Sequence, residues 1–312
     1  MTAQEIRKIL VIGGGTMGRQ IALQCALQGC SVVIYDLQIE LLEKALAGIR
    51  KMARRVAANQ GVPPDQAESI LERIAATTDP KTAAADVDLV SESVPEDPAL
   101  KEKVFSLFGR LCPPHAIFTT NTSTLLPSMI APATGRPEKF LAFHFHDIRA
   151  TAIVDVMPHP GTDPEATELV RAFAERIGLI PIVLKREAHG YVFNFMLIAL
   201  SQAAQTLAEQ GIASVEDIDR AWMGVTGMFL GPFGIMDSVG IDTVCEITRY
   251  WAEKNNDPQA LRNAEFLKRY VGEGRLGQKS GKGFYTYPKP LFTRPGFIRG
   301  HLDIAHSAKE EP

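Results

Sequence analysis

The chain has 312 residues, a formal net charge of -3 at pH 7 and 22% charged residues; that length favours two domains with separate cores, and that charge excludes a general electrostatic case for nucleic acid. Hydrophobic residues make up 46%, ordinary for a globular enzyme. Its apolar runs fall short of the ~18 residues that span a bilayer, the opening MTAQEIRKIL lacks the apolar region and cleavage site of a signal peptide, and Cys25, Cys30, Cys112 and Cys245 form no C-x-x-C pair. We expect reduced thiols, no membrane and a cytoplasmic protein.

In chain order, KILVIG, SVVIYD, VDLVSES, AIFTTN, KFLAFHF and IPIVLK read as strands alternating with helical patterns, which predicts a parallel, doubly wound α/β domain over residues 1–187. After the first strand, Gly13, Gly15 and Gly18 stand in G-x-G-x-x-G spacing at the head of a helix, so the glycines allow a tight turn, close approach of backbone to a pyrophosphate, and helix-on-strand packing. The first amides of that helix, at Thr16 and Met17, favour an anionic diphosphate. The second strand ends at Asp36, an acid placed to accept from a ribose diol and to repel a 2′-phosphate. The combination predicts a Rossmann-type domain that binds NAD.

Leu42, Ala45, Leu46, Ile49, Ala53 and Val56 recur at helical spacing, and after GVPPDQ, with Asp65 as an N-cap, AESILERI completes a helical hairpin inserted into the sheet domain. Arg50, Lys51, Arg54 and Arg55 cluster on it, either to meet phosphates or as a solvated face. Glu96 and Lys101, at the next strand-to-helix turn, read by spacing alone as an exposed helix-start pair. Asn121, Thr122 and Ser123 follow another strand at the carboxyl edge, where open α/β sheets bind ligands. In FLAFHFHDIRATAIVDV, a pair of β segments, alternation sends His144 and His146 to one face and Phe143 and Phe145 to the other. A histidine beside a nicotinamide is the expected base for an alcohol, with a carboxylate to hold its tautomer. Two histidines and an aspartate could bind a metal, but no metal site is expected, because no convincing further ligand is visible in the sequence.

From about His189 strand signals fade. YVFNFMLIALSQAAQTLAEQG reads as a long helix, apolar over much of its circumference and therefore buried, at a subunit interface; SVEDIDRAW opens a second helix capped by Ser214, and a helical domain over residues 188–290 follows. Residues 291–312, proline-rich and without period, read as a tail.

The fingerprint, the N-T-S turn, the H-F motif and the pieces GYVFNFML, GPFGIMDSVGIDT and GQKSGKGFYTY together resemble the L-3-hydroxyacyl-CoA dehydrogenase family, from about Lys8 to Tyr287. The resemblance implies NAD held by the glycine turn and Asp36, with Glu96, Lys101, Asn121 and Lys279 around it. It also implies Ser123 on the substrate hydroxyl, Asn194 on the substrate side and His144 as catalytic base, converting a 3-hydroxyacyl-CoA to 3-ketoacyl-CoA. The usual H-F-F-N-P is HFHDI here, so His146 and Asp147 replace phenylalanine and asparagine. The family's glutamate, twelve positions after the histidine, has no counterpart at Val156. Asp155 matches it if the loop is one residue shorter, and Asp147 is the rival partner. Arg50 and Arg54 are the CoA-side candidates on the hairpin. Related groups acting on smaller hydroxy acids leave a free 3-hydroxy acid as an alternative substrate, and a non-catalytic NAD-binding protein as another reading. A homodimer through the helical domain is expected.

Overall fold

A computed structural model of the chain describes residues 1–60 and 64–300, and side chains outside 57–67. Contacts divide it into Met1–Phe193 and Asn194–Pro312, a few residues beyond the boundary expected from sequence.

In the first unit the order is β1 (Lys8–Ile12), α1 (Thr16–Leu27), β2 (Ser31–Tyr35), α2 (Ile39–Gln60), α3 (Pro64–Leu71), β3 (Ile74–Thr77), α4 (Pro80–Ala84), β4 (Leu89–Glu92), α5 (Pro98–Leu111), β5 (Ile117–Thr120), α6 (Pro127–Ile130), β6 (Phe140–Phe145), β7 (Ile153–Pro158), α7 (Pro164–Arg176) and β8 (Ile180–Val183). The eight strands form one sheet, β3-β2-β1-β4-β5-β6-β7-β8, parallel except for the antiparallel pair β6 and β7. Strand order reverses between β1 and β4, the switch point beside which doubly wound sheets hold ligands. Alternation along the strands separates two cores: Ile9, Val11, Val32, Ile34, Phe143 and Phe145 pack with α1, α2 and α7, whereas Leu10, Ile12, Val33, Val90 and Phe118 pack with Phe105 and Phe108 of α5. Sheets buried on both faces need such near-continuous apolar strands.

The helical hairpin is α2 and α3, with Leu42, Ala45, Ile49 and Ala53 as its buried stripe; α3 already begins at Pro64, one residue before the N-cap expected at Asp65, whose side chain lies outside those described. The sequence carried the second helix through Ile74. Instead Ile74 opens β3, in register with Val32 of β2, because a four-residue edge strand is decided by its neighbour and not by its own weak period.

The second unit contains α8 (Phe193–Glu209) beyond its first residue, α9 (Val215–Thr226), α10 (Pro232–Val239), α11 (Ile241–Asn255) and α12 (Pro258–Gly272). Ser214 caps α9 by accepting from the Asp217 amide at 3.1 Å. Two buried aspartates tie the unit together. Asp219 accepts from the amides of Phe233 and Gly234 and from the Tyr285 hydroxyl, and Asp237 from the amides of Phe284 and Tyr285 and the Tyr287 hydroxyl. The glycines around them leave room for the carboxylates: a Cβ on Gly231 would stand 2.3 Å from Asp219 Cγ, and one on Gly283 2.0 Å from Asp237 Oδ1. GPFG and GKGFYTY are therefore scaffold motifs.

One expectation is corrected here. Residues 291–300 are not a tail: Phe292 and Phe297 are 6% and 1% exposed in the core of this unit, and Arg220 Nε donates to the Phe297 carbonyl at 2.7 Å. α8, expected to be buried at a subunit interface, is largely open in the single chain. Its buried positions are Ser201, Ala204 and Gln205, while Phe193, Phe195 and Met196 are exposed.

Candidate active site

Three glycines after β1 have three different surroundings. Gly13 has φ +102°, and a Cβ there would stand 2.7 Å from the Ser93 carbonyl oxygen. At Gly18 it would stand 1.9 Å from the carbonyl oxygen of Gly13, so α1 lies directly on the turn. At Gly15, the N-cap of α1, it would meet nothing within 4 Å. Two glycines are thus required by the protein's own backbone, and the third leaves open space beside the first amides of α1, Thr16 and Met17, which have no intrahelical acceptor. Asp36, just past β2, accepts from the amides of Gly14 and Leu37 at 2.8 Å each. Its carboxylate is pinned, with lone pairs left for ribose hydroxyls. This open cradle, the free amides and the fixed acid fit NAD.

At the ends of β4 and β5 lies a charge network. Glu92 is fully buried and accepts from Lys101 Nζ at 2.7 Å, Thr120 Oγ1 at 2.7 Å and the Val94 amide at 2.7 Å; burial pushes its carboxyl up, against the pull of Lys101 and these donors. Lys101, 1% exposed, also reaches the Val94 carbonyl and Glu96, each at 3.3 Å. Its burial contradicts the exposed helix-start pair expected from spacing alone; its ammonium lies beneath the loop between Glu92 and Glu96. Glu96 organises that loop: one oxygen accepts from the Thr122 hydroxyl, the amides of Ser123 and Thr124, and the Thr124 hydroxyl. Burial raises the Glu96 carboxyl, but these donors and Lys101 outweigh it and hold it below its ordinary range. Asn121 Oδ1 accepts from the Phe145 amide at 2.7 Å, which binds the loop to the end of β6.

On β6, Phe143 and Phe145 enter the core and the histidines take the other face. His144 stands directly across from Asp155 on β7. Its Nδ1 lies 3.1 Å from Asp155 Oδ2, and His146 Nε2 lies 3.1 Å from the same oxygen. Burial raises the Asp155 carboxyl, but the bonds and charges of the two histidines prevail and lower it. With Asp155 ionised, both rings present N–H to it, which leaves His144 Nε2 as a free acceptor. The register of β6 on β7 therefore brings the eleventh residue after His144, not the twelfth, to its ring. Asp147 is turned to Arg149 instead, whose Nε donates at 2.8 Å, so the rival partner is excluded by geometry. The Ile148 amide donates to buried Gln20 of α1, fixing this turn against the cofactor helix.

Two residues in the site were missed from sequence. Tyr191 has φ +54° and stacks on His144 at 4.5 Å and 7°, with its hydroxyl donating to the Thr122 carbonyl at 2.5 Å. Glu92 supports Lys101. An aromatic residue following a glycine and an acid at a strand end were the available signals. Asn194, at the start of α8, and Lys279, whose Nζ lies 2.6 Å from Asp242 Oδ2, belong to the second unit. Arg50 is exposed, and Arg54 pairs loosely with Glu68 at 3.6 Å.

The glycine cradle, the fixed acid and the doubly wound sheet define an NAD-dependent oxidoreductase. Residues 8–188 match the description "3-hydroxyacyl-CoA dehydrogenase, NAD binding domain", and residues 190–287 match the C-terminal domain of the same family. The chain belongs to the 3-hydroxyacyl-CoA dehydrogenase family. It is 33% identical to the mitochondrial hydroxyacyl-coenzyme A dehydrogenase of Homo sapiens, over 90% of this chain and 91% of that one. A probable 3-hydroxybutyryl-CoA dehydrogenase of Bacillus subtilis is 32% identical, over 91% and 98%. Among solved structures, (S)-3-hydroxybutyryl-CoA dehydrogenase from Ralstonia eutropha is 28% identical with TM-score 0.84, covering 91% of this chain and all (100%) of that one. A diketoreductase described as catalysing reactions of dicarbonyl compounds is 39% identical with TM-score 0.84, covering 90% and 99%.

Proposed function

We propose that the protein oxidises a 3-hydroxyacyl-CoA to the 3-ketoacyl-CoA, and reduces it in reverse, with His144 as the general base. The observation that carries this reading is the buried bond between His144 Nδ1 and Asp155. It holds the ring in the tautomer whose Nε2 can take the hydroxyl proton, and it stabilises the imidazolium that results. When bound, NAD supplies the hydride acceptor. Ser123, on the loop fixed by Glu96, offers a hydroxyl to the substrate oxygen. Tyr191 covers one face of His144 and keeps water from it. Asn194 acts on the substrate side, and Arg50 and Arg54 meet the CoA phosphates by charge.

NADH oxidation with acetoacetyl-CoA tests the assignment. His144→Ala is expected to lower kcat by roughly 10²–10⁴-fold, and equal slow rates in wild type and variant would sink the proposal. The similarity to a diketoreductase and the HFHD segment favour a second reading, in which the same base serves a smaller carbonyl substrate without CoA. Turnover of free acetoacetate or a CoA-free diketone, with none of the thioester, would decide for it. The exposed apolar residues of α8 support a homodimer.

A further inference from the structure

His146 has no task in the general-base reading, yet it shares the carboxylate on which that reading depends. Two residues beyond His144 and just past the end of β6, it places Nε2 3.1 Å from Asp155 Oδ2, the oxygen that also lies 3.1 Å from His144 Nδ1. The Asp155 side chain is 2% exposed and the two rings 7% and 16%, so water has little access to either bond. The surrounding groups leave the trio to itself. Tyr191 stacks on His144 with its hydroxyl committed to Thr122, Phe193 meets His146 edge-on at 5.6 Å, and Ile182 of β8 lies beside Asp155 in register. Asp147 is neutralised by Arg149. Glu92 and Glu96 act on Tyr191 and are themselves paired with Lys101.

The three ligand atoms lie within 4.8 Å of one another. A tetrahedral zinc with bonds of about 2.1 Å sets its ligands only ~3.4 Å apart. Here both rings aim at one oxygen, not at a common centre, and that is the geometry of a shared hydrogen-bond acceptor.

We propose that His146 is a positioning residue that acts on His144 through Asp155, clamping the carboxylate at the base. The inference rests on the reading of His144 as base. An aspartate is one methylene shorter than the glutamate that the family resemblance implies, so a second donor on Oδ2 limits the torsions by which it would swing away.

Histidine-resolved NMR titration of the NAD-bound protein tests this, with His144→Ala for assignment. H146F keeps a ring but removes the donor; H146Q keeps an N–H near the Nε2 position and cannot ionise. In H146F, where Asp155 is free to swing away, the His144 midpoint should fall by about half a pH unit or more, and kcat should fall roughly tenfold with KM little changed. H146Q should restore both. An unmoved midpoint in H146F, or equal shifts in H146F and H146Q, overturns the proposal. If H146F does not fold, H146N, too short to reach Oδ2, carries the same contrast against H146Q. Because the midpoint is read without substrate, failure of the general-base reading appears separately, as turnover indifferent to His144→Ala.

Discussion

Lys101 shows how the meaning of a side chain depends on its burial. Its ammonium touches Glu92, Glu96 and the Val94 carbonyl within 3.3 Å, and both it and Glu92 are removed from water. Breaking a buried pair leaves an uncompensated charge and costs about 3–5 kcal/mol. Lys101→Met should therefore lower the melting temperature by several degrees, and loosen the Asn121–Thr124 loop through Glu96. The sign with pH follows from Glu92, whose folded carboxyl is already raised by burial. A raised acid favours the fold below its unfolded range and loses that contribution as pH rises. The loss in Lys101→Met should accordingly be larger at pH 8 than at pH 5 in thermal melts; equal losses would contradict the pairing.

At the scale of elements, the glycine turn separates folding from binding. Gly18→Ala would drive a Cβ to within 1.9 Å of a backbone oxygen, so the variant should be strongly destabilised or insoluble. Gly15→Ala meets nothing within 4 Å and should melt near wild type, yet bind NAD more weakly by at least about tenfold, because the methyl occupies the approach of the diphosphate. Calorimetry with NAD beside thermal melts distinguishes the two. In the helical unit, Asp219 is pushed up to about 6, chiefly by burial. Its folded value lies above the unfolded one, so its contribution is present below about pH 4 and is lost as pH rises through 6, on the order of 3 kcal/mol across that window. Asp219→Asn should flatten that part of the melting curve against pH, and an unchanged slope would remove Asp219 as its source.

Over the whole molecule, α8 carries an exposed apolar surface, with Phe195 and Met196 at 63% and 57%. Burying such a face against a second copy is favourable by ~25 cal/mol per Å². Sedimentation at micromolar concentration should show a dimer, and Phe195→Asp a monomer that keeps its helical content; a monomeric wild type would contradict the interface. Among the described residues, no helix is long and apolar enough to cross a membrane.

Much was legible before any fold was known. The spacing of Gly13, Gly15 and Gly18, followed by a strand and Asp36, determined the nucleotide turn because those contacts are local, made within one β-turn-α-β unit. Period-two alternation likewise determined that His144 and His146 share a face. Pairing was another matter. Whether Ile74 ends a helix or opens an edge strand depended on β2, and whether residues 291–300 trail away or pack depended on the core that receives Phe297. The acid partner of His144 was undecided in the sequence, where Asp147 lies nearer than Asp155. The antiparallel register of β6 and β7 sets His144 opposite Asp155 and leaves Asp147 to Arg149. Only the tertiary structure could decide this, since cross-strand distance is fixed by register and not by separation along the chain.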